Sequence, residues 1–395
     1  MIRLPLKILT CTIDLNDDLN FTGNMHNRII ILFMIAFCCM PSANAQTSHQ
    51  TDGLAADSSA KKIFSGVVLL ADSGKVWFEK ATGYRDFSSR EPLLATDIFE
   101  LASVSKQFTA MIIMQLKEKG RLDFDDPVSQ YIRIPYQDIT IRHLLTHTSG
   151  LPDYQSLMDT HWDKSKVAGN DDIIHYLNKY APLTHFPPGE KYEYSNTGYV
   201  LLASIAEKAA GKDFTQQCRD NIFIPLGMKD TDIRTQEEKR GLGNLALGHI
   251  YQIQRGNYQH ADSFPQSNYT VWLGKREGPG RISSTARDLL KWDQALYASA
   301  LVSDTILAQA FQPMRLNDGR LSPYGFGWDL SVDKILGRIV GHNGDNPGYW
   351  TQIIRCIDTR QTIIVFCNNA FESFEALVKQ VSLTVAYALG SNKNR

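Results

Sequence analysis

Residues 348–367 read GYWTQIIRCIDTRQTIIVFC. Two runs rich in β-branched and aromatic residues flank a polar break at Asp358–Gln361, which is the pattern of an antiparallel hairpin. Upstream, YGFGWDL from Tyr324 and ILGRIVGH ending at His342 continue the strand pattern. Downstream, Phe374, Leu377, Val378, Val381, Val385 and Leu389 fall on one face of an amphipathic helix. The matching strands stand at the other end of the chain, where IFSGVVLLA and KVWFEKATGY flank Asp72-Ser73-Gly74. Residues 121–300 read mostly as helical segments broken by clusters such as Phe186-Pro187-Pro188-Gly189. Consecutive strands joined by short turns pair antiparallel. The expected fold is α+β, of the α/β sandwich type. One antiparallel sheet is formed by both chain ends and flanked by helices, with a mostly helical subdomain (about 121–300) inserted between its strands. A cleft is expected where the two meet.

The chain has 395 residues, 43% of them hydrophobic, and 41 Lys plus Arg against 42 Asp plus Glu. This is ordinary globular composition. A net charge of −1 gives no electrostatic ground for a nucleic-acid partner. The first 45 residues read as a leader. Ile29 to Met40 is a short apolar run after Arg28, and Ala43-Asn44-Ala45 suits signal peptidase. The run is shorter than the ~20 residues that a membrane-spanning helix needs. Asp14, Asp17 and Asp18 are out of place in a signal peptide, so translation is expected to start at Met25. Residues 46–395 are then one exported domain, periplasmic or secreted, without a membrane span. Phe37 disfavours a lipid anchor at Cys38 or Cys39. Cys218, Cys356 and Cys367 are an odd number and are expected as free structural thiols. A two-residue turn at Thr359-Arg360 would set Cys367 opposite Gln352.

Three short patterns carry chemistry. Ser103-Val104-Ser105-Lys106 opens a helical stretch, and positions i and i+3 share a helix face, so the Lys106 amine lies beside the Ser103 hydroxyl. A serine needs a base to become a nucleophile, and a lysine serves if burial lowers its pKa. Tyr194-Ser195-Asn196 offers a proton carrier and an amide donor. His342-Asn343-Gly344 ends a strand where a substrate backbone can approach. Taken singly, each has a plain structural alternative: a chance Ser-x-x-Lys, a helix N-cap at Ser195 or Asn196, a loop histidine.

In this order the three resemble the motifs of the penicillin-recognising serine hydrolases, in particular the class C β-lactamase and D-alanyl-D-alanine carboxypeptidase branch. Leu144–Pro152 (LLTHTSGLP), Phe186–Gly189, Pro225-Leu226-Gly227-Met228, Ser283–Asp288 and Tyr324–Trp328 support the likeness, which covers nearly all of residues 63–390. The resemblance implies Ser103 as acylated nucleophile, Lys106 and Tyr194 as the proton-handling pair, and Asn196 as a contact to the substrate acyl group. It implies an oxyanion hole of the Ser103 and Asp345 N–H groups, no metal and no cofactor. Tyr194 is expected to activate the deacylating water. Where the β-lactamases carry Lys-Thr-Gly, this chain has His342-Asn343-Gly344. A histidine is mostly neutral at pH 7, which disfavours efficient recognition of a β-lactam carboxylate. The expected substrates are therefore small esters, amides or D-amino-acid peptides, including peptidoglycan-derived ones. The alternatives are a β-lactamase proper and a non-catalytic penicillin-binding or sensor protein. His143 and His147 stand four apart, but Leu144 replaces the glutamate of HExxH, and packing and capping are the better reading.

Overall fold

Six strands form one antiparallel sheet, and both ends of the chain contribute to it. They are β1 (Gly66–Asp72), β2 (Lys75–Thr82), β3 (Asp329–Asp333), β4 (Gly337–Asn346), β5 (Tyr349–Cys356) and β6 (Gln361–Cys367). Their order is β3-β4-β5-β6-β1-β2, so β1 pairs with β6 and closes the chain ends into one sheet. The computed structural model describes residues 64–369 and 373–393; the expected leader and start at Met25 lie outside the described residues. Among the described residues no helix is long and apolar enough to cross a membrane.

The β1–β2 turn uses Ser73 and Gly74, both at positive φ (48° and 81°), the turn type whose twist matches the strands it joins. The β5–β6 connection differs from expectation. Cys356 pairs with Gln361 and Cys367 with Trp350, not Gln352. Four residues, not two, make the loop, and Arg360 at φ 57° returns the chain. Cys218 and Cys356 are buried thiols, and the buried Cys367 thiol donates to Asn369 Oδ1 at 2.9 Å. Tyr324–Trp328 also departs from its expected strand. Gly327 has φ 80°, and a Cβ there would lie 2.9 Å from the Lys106 carbonyl oxygen, so this segment turns tightly over the helix carrying Lys106.

Four longer helices position the site: α1 (Lys106–Glu118), α2 (Asn196–Ala210), α3 (Ala286–Ala295) and α4 (Phe374–Lys393). Along β5 the odd-numbered residues face one layer, with Thr351 bonded to Leu101 and Arg355 paired with Asp293 of α3. Even-numbered Trp350 packs on Phe374 of α4, with ring centroids 5.5 Å apart. Alternation along the strand therefore puts α3 and α4 on opposite faces, making a sandwich of three layers. Phe374, Leu377, Val381 and Val385 of α4 are buried. Helix α1 is buried from Lys106 to Leu116, and its buried polar side chains bond inside, Thr109 to the Gly278 carbonyl at 2.7 Å and Gln107 to the Trp292 N–H at 2.9 Å. Between α1 and β3 the chain is mostly helical, with the short strands Asp232–Ile233, His249–Gln252, Asn257–His260 and Ile282–Ser284 added.

Candidate active site

Ser103 lies in a 3-10 turn, Ala102–Ser105, and Lys106 is the first residue of α1. Ala102 is held at φ 47°, a conformation that L-residues seldom adopt. Two contacts hold the turn there. Thr351 Oγ1 donates to the Leu101 carbonyl at 2.8 Å. Gly344 of β4 lies so close that a Cβ would come within 2.2 Å of the Leu101 oxygen. A glycine is required at 344 for strand and turn to touch.

The Lys106 amine is fully buried. It contacts Ser103 Oγ at 3.0 Å, Asn196 Oδ1 at 2.8 Å and the Pro279 carbonyl at 2.8 Å. Burial pushes its pKa well below the usual lysine value, and the nearby Arg276 guanidinium acts in the same direction. A neutral amine has two N–H donors and one lone pair. The Asn196 amide oxygen and the Pro279 carbonyl can only accept, so they take the two donors. Ser103 is the one neighbour able to donate, and the lone pair faces its hydroxyl.

Tyr194 closes the other side. Its hydroxyl is hydrogen-bonded to Ser103, and the Lys106 amine sits 4.8 Å from its ring centroid. Desolvation raises the phenol pKa, while the Ser103 bond opposes the rise. Tyr194 keeps 40% of its surface open, and solvent there limits the shift without reversing it. The phenol is therefore neutral and holds its proton. Ser195 caps α2 by accepting from the Gly198 N–H at 3.3 Å, so the capping reading of this segment is also correct.

His342 departs from its expected role. Its ring is 1% exposed. Nε2 meets the Tyr324 hydroxyl at 2.8 Å and Nδ1 meets the Asn343 carbonyl, so neither nitrogen is left for a substrate. Burial, and then Lys106, lower its pKa to about 3. Asn343 and Asp345 are exposed on the strand edge, and desolvation raises the Asp345 carboxyl. The two-residue turn Pro347-Gly348 makes Asn346 and Tyr349 the bonded pair that closes the hairpin. Pairs alternate along an antiparallel ladder, so Gly344 and His342 bond across to β5 while the Asn343 and Asp345 amides point away from it. Beside this edge is a cleft of about 320 Å³, lined by Asn343, Gly344, Asp329, Trp350, Gln352 and Phe374. A second cavity of about 490 Å³ is lined by Arg276, Arg281, Lys239, Glu100, His260 and Tyr349 among others. Ser103, Lys106 and Tyr194 line neither cavity.

Four residues of this site gave no sequence signal of a role in it. Pro279 accepts from Lys106, Arg276 bears on it electrostatically, and Tyr324 holds His342. His147, at φ 56°, is fully buried with its ring 4.3 Å from that of Tyr194. Its Nδ1 accepts from the Ser195 N–H at 3.1 Å, which fixes the segment that carries Tyr194. His143 caps its helix, where the Thr140 N–H donates to its Nδ1 at 3.1 Å.

The model of a family described as Beta-lactamase matches residues 51–385. Penicillin-binding protein 4* of Bacillus subtilis (strain 168) is 42% identical over 311 residues, which is 78% of this chain and 69% of that protein. A D-aminopeptidase of Brucella anthropi is 27% identical over 83% of this chain, and the chain spans 60% of that enzyme's length. The crystal structure of a penicillin-binding protein from Bacillus halodurans superposes with a TM-score of 0.70 at 26% identity, covering 81% of this chain and 96% of that one. With its antiparallel sheet, its flanking helices and its Ser103–Lys106 pair, the chain belongs to the beta-lactamase family of penicillin-recognising serine hydrolases.

Proposed function

We propose that the chain hydrolyses small amides, esters or peptides built on D-amino acids through an acyl-enzyme on Ser103. The observation that carries this reading is the Lys106 amine, buried, with acceptors on two sides and the Ser103 hydroxyl on the third. Lys106 takes the Ser103 proton as Oγ attacks the carbonyl carbon. The oxyanion is held by the N–H groups of Ser103 and Asp345, each worth about 3–4 kcal/mol of barrier in comparable sites. Tyr194 gives its phenol proton to the departing nitrogen or oxygen and is reprotonated from Lys106. Asn196 gives its Oδ1 to Lys106, which leaves its amide N–H groups for the substrate acyl chain. Water then attacks the ester. Lys106 is the base for this step, because a phenol held neutral is a poor base, and this replaces the role expected for Tyr194.

The substrate class draws support from the relative named as a D-aminopeptidase. Efficient β-lactam hydrolysis fits less well, because His342 is neutral and buried and offers no cation to a carboxylate. The test uses D-alanine p-nitroanilide and intact-protein mass spectrometry after incubation with benzylpenicillin. Wild type is expected to release nitroaniline, and Ser103→Ala to lose at least ~10³-fold in kcat/KM. A Ser103→Ala protein that is as active as wild type would overturn the reading. Export belongs to the same proposal. N-terminal sequencing of the mature protein should begin near Gln46, and a retained leader would refute it.

A further inference from the structure

We infer that Asp86, His249 and His260 form a binding site for a divalent transition-metal ion, with zinc the best match to the donor set. The inference is independent of the Ser103 chemistry. The carboxylate oxygen and the two ring nitrogens lie within 4.8 Å of one another. Asp86 Oδ1 is 3.1 Å from His249 Nε2 and 3.3 Å from His260 Nε2. A tetrahedral ion about 2.0–2.1 Å from each donor sets its donors about 3.3 Å apart. Those two separations are therefore already edges of a zinc tetrahedron.

The histidine hydrogen bonds point the same way. His249 Nδ1 lies 2.7 Å from the Leu247 carbonyl, which can only accept, so Nδ1 carries the proton. Nε2 of the neutral ring then turns a lone pair toward Asp86 Oδ1. That oxygen is also an acceptor and already takes the Ser88 N–H at 2.8 Å. Two lone pairs 3.1 Å apart repel. A metal ion placed between the two atoms would serve both lone pairs. An Nδ1–H bonded to a carbonyl is the usual way that a ligating histidine is oriented.

The ligands sit on a fixed frame. His249 and His260 face each other across the hairpin His249–Gln252/Asn257–His260. Asp86 ends the strand Tyr84–Asp86. Asn368, just beyond β6, joins the two by donating from Nδ2 to the carbonyls of Tyr84 (3.0 Å), Arg85 (3.3 Å) and Leu247 (3.0 Å). The His249 N–H donates back to the Asn368 carbonyl at 2.9 Å. His260 is 43% exposed and lines the cavity of about 490 Å³, which gives an ion its entry route. The ion clips this hairpin to the strand Tyr84–Asp86 at the wall of that cavity, and water or a ligand oxygen completes its coordination.

The test uses the full chain without a polyhistidine tag, stripped with a chelator and titrated with zinc chloride by calorimetry, alongside thermal melts. One zinc per chain is expected, with a rise in Tm. His260→Ala, at the exposed ligand, should fold with the Tm of the stripped wild type, bind zinc at least tenfold more weakly and lose the Tm rise. Asp86→Asn should weaken binding similarly. Cobalt(II) should give the visible absorption of a tetrahedral complex in wild type and lose it in both variants. Absence of zinc binding by wild type, or binding of equal affinity in both variants, overturns the inference.

Discussion

Gly344→Ala puts the geometric account of the site at risk with one methyl group. The backbone at 344 lies outside the positive-φ region, so alanine brings no conformational strain of its own. The effect is steric. The new Cβ would fall 2.2 Å from the Leu101 carbonyl oxygen, 2.4 Å from Thr351 Oγ1 and 3.1 Å from Ala102 Cβ. Thr351 can rotate at the expense of its bond to Leu101, but the Leu101 oxygen is backbone. Strand and turn must part by about 1 Å to restore an ordinary contact, since close-packed interiors leave no slack. The turn carries the Ser103 N–H and the strand carries the Asp345 N–H, so the two halves of the proposed oxyanion hole separate by that amount. A misplacement of about 1 Å costs on the order of 10²-fold, and complete loss of one donor 10²–10³-fold, or about 3–4 kcal/mol of barrier. Steady-state hydrolysis of D-alanine p-nitroanilide should show the loss in kcat, with KM changed much less. Circular dichroism and a melting curve establish that the variant is folded. A folded Gly344→Ala protein with wild-type kcat would refute the placement of the oxyanion hole between β4 and this turn.

Two further perturbations act on the site's charges. Asn196→Asp sets a carboxylate where Oδ1 now lies, 2.8 Å from the Lys106 amine. The ion pair raises the lysine pKa and protonates it, so kcat/KM at pH 7 should fall at least ~10-fold and its pH profile should move to higher pH, one unit for each ~1.4 kcal/mol of pairing; an unmoved profile would count against Lys106 as base. His342→Gln tests the buried imidazole. The folded-state pKa is about 3 against the ordinary histidine value of 6.5, so between those values the unfolded chain binds the proton and the folded chain does not. Stability therefore rises with pH across that window, by up to about 1.4 kcal/mol per unit. Urea titrations from pH 3.5 to 7 should show a flatter dependence in His342→Gln, and equal slopes would mean that His342 is not held neutral.

The strands were legible because runs rich in β-branched and aromatic residues are separated by polar breaks; the pairing of β1 with β6 followed from the placement of strand patterns at both ends. Local geometry was harder to read. Arg360 gives no sign in its side chain that it will take φ 57° and make the β5–β6 loop four residues long, which moves Cys367 from Gln352 to Trp350. Tyr324–Trp328 has strand-like residues, yet Gly327 is spent on the close approach to Lys106. Within the site, Ser103, Lys106, Tyr194 and Asn196 were legible through the order of the three motifs, which resembles that of the penicillin-recognising serine hydrolases, and the structure brings them together. Pro279 was not, since what it supplies is a carbonyl oxygen that every residue has. His342 was legible as a residue of the site but not as an internal one, because burial depends on where Tyr324 packs.

The charge arrangement explains why these particular residues surround Lys106. Among the described residues its amine has no carboxylate partner; its contacts are a hydroxyl, an amide oxygen and a peptide carbonyl. A paired carboxylate would keep the ammonium form, which has no lone pair to take a proton. Burying an unpaired lysine is unfavourable, and protein neighbours of the same tendency deepen the effect: Arg276 lowers the amine's pKa, while His147 and His342 sit close by as neutral rings. The unfavourable burial of this amine pushes its pKa down and so favours the form that has a lone pair to act as a base. The histidine at 342 adds no charge of its own to the site, because burial and the nearby Lys106 lower its pKa to about 3. A neutral imidazole, bonded to Tyr324 on one side and the Asn343 carbonyl on the other, holds the strand edge in place and leaves Lys106 as the titratable centre of the site.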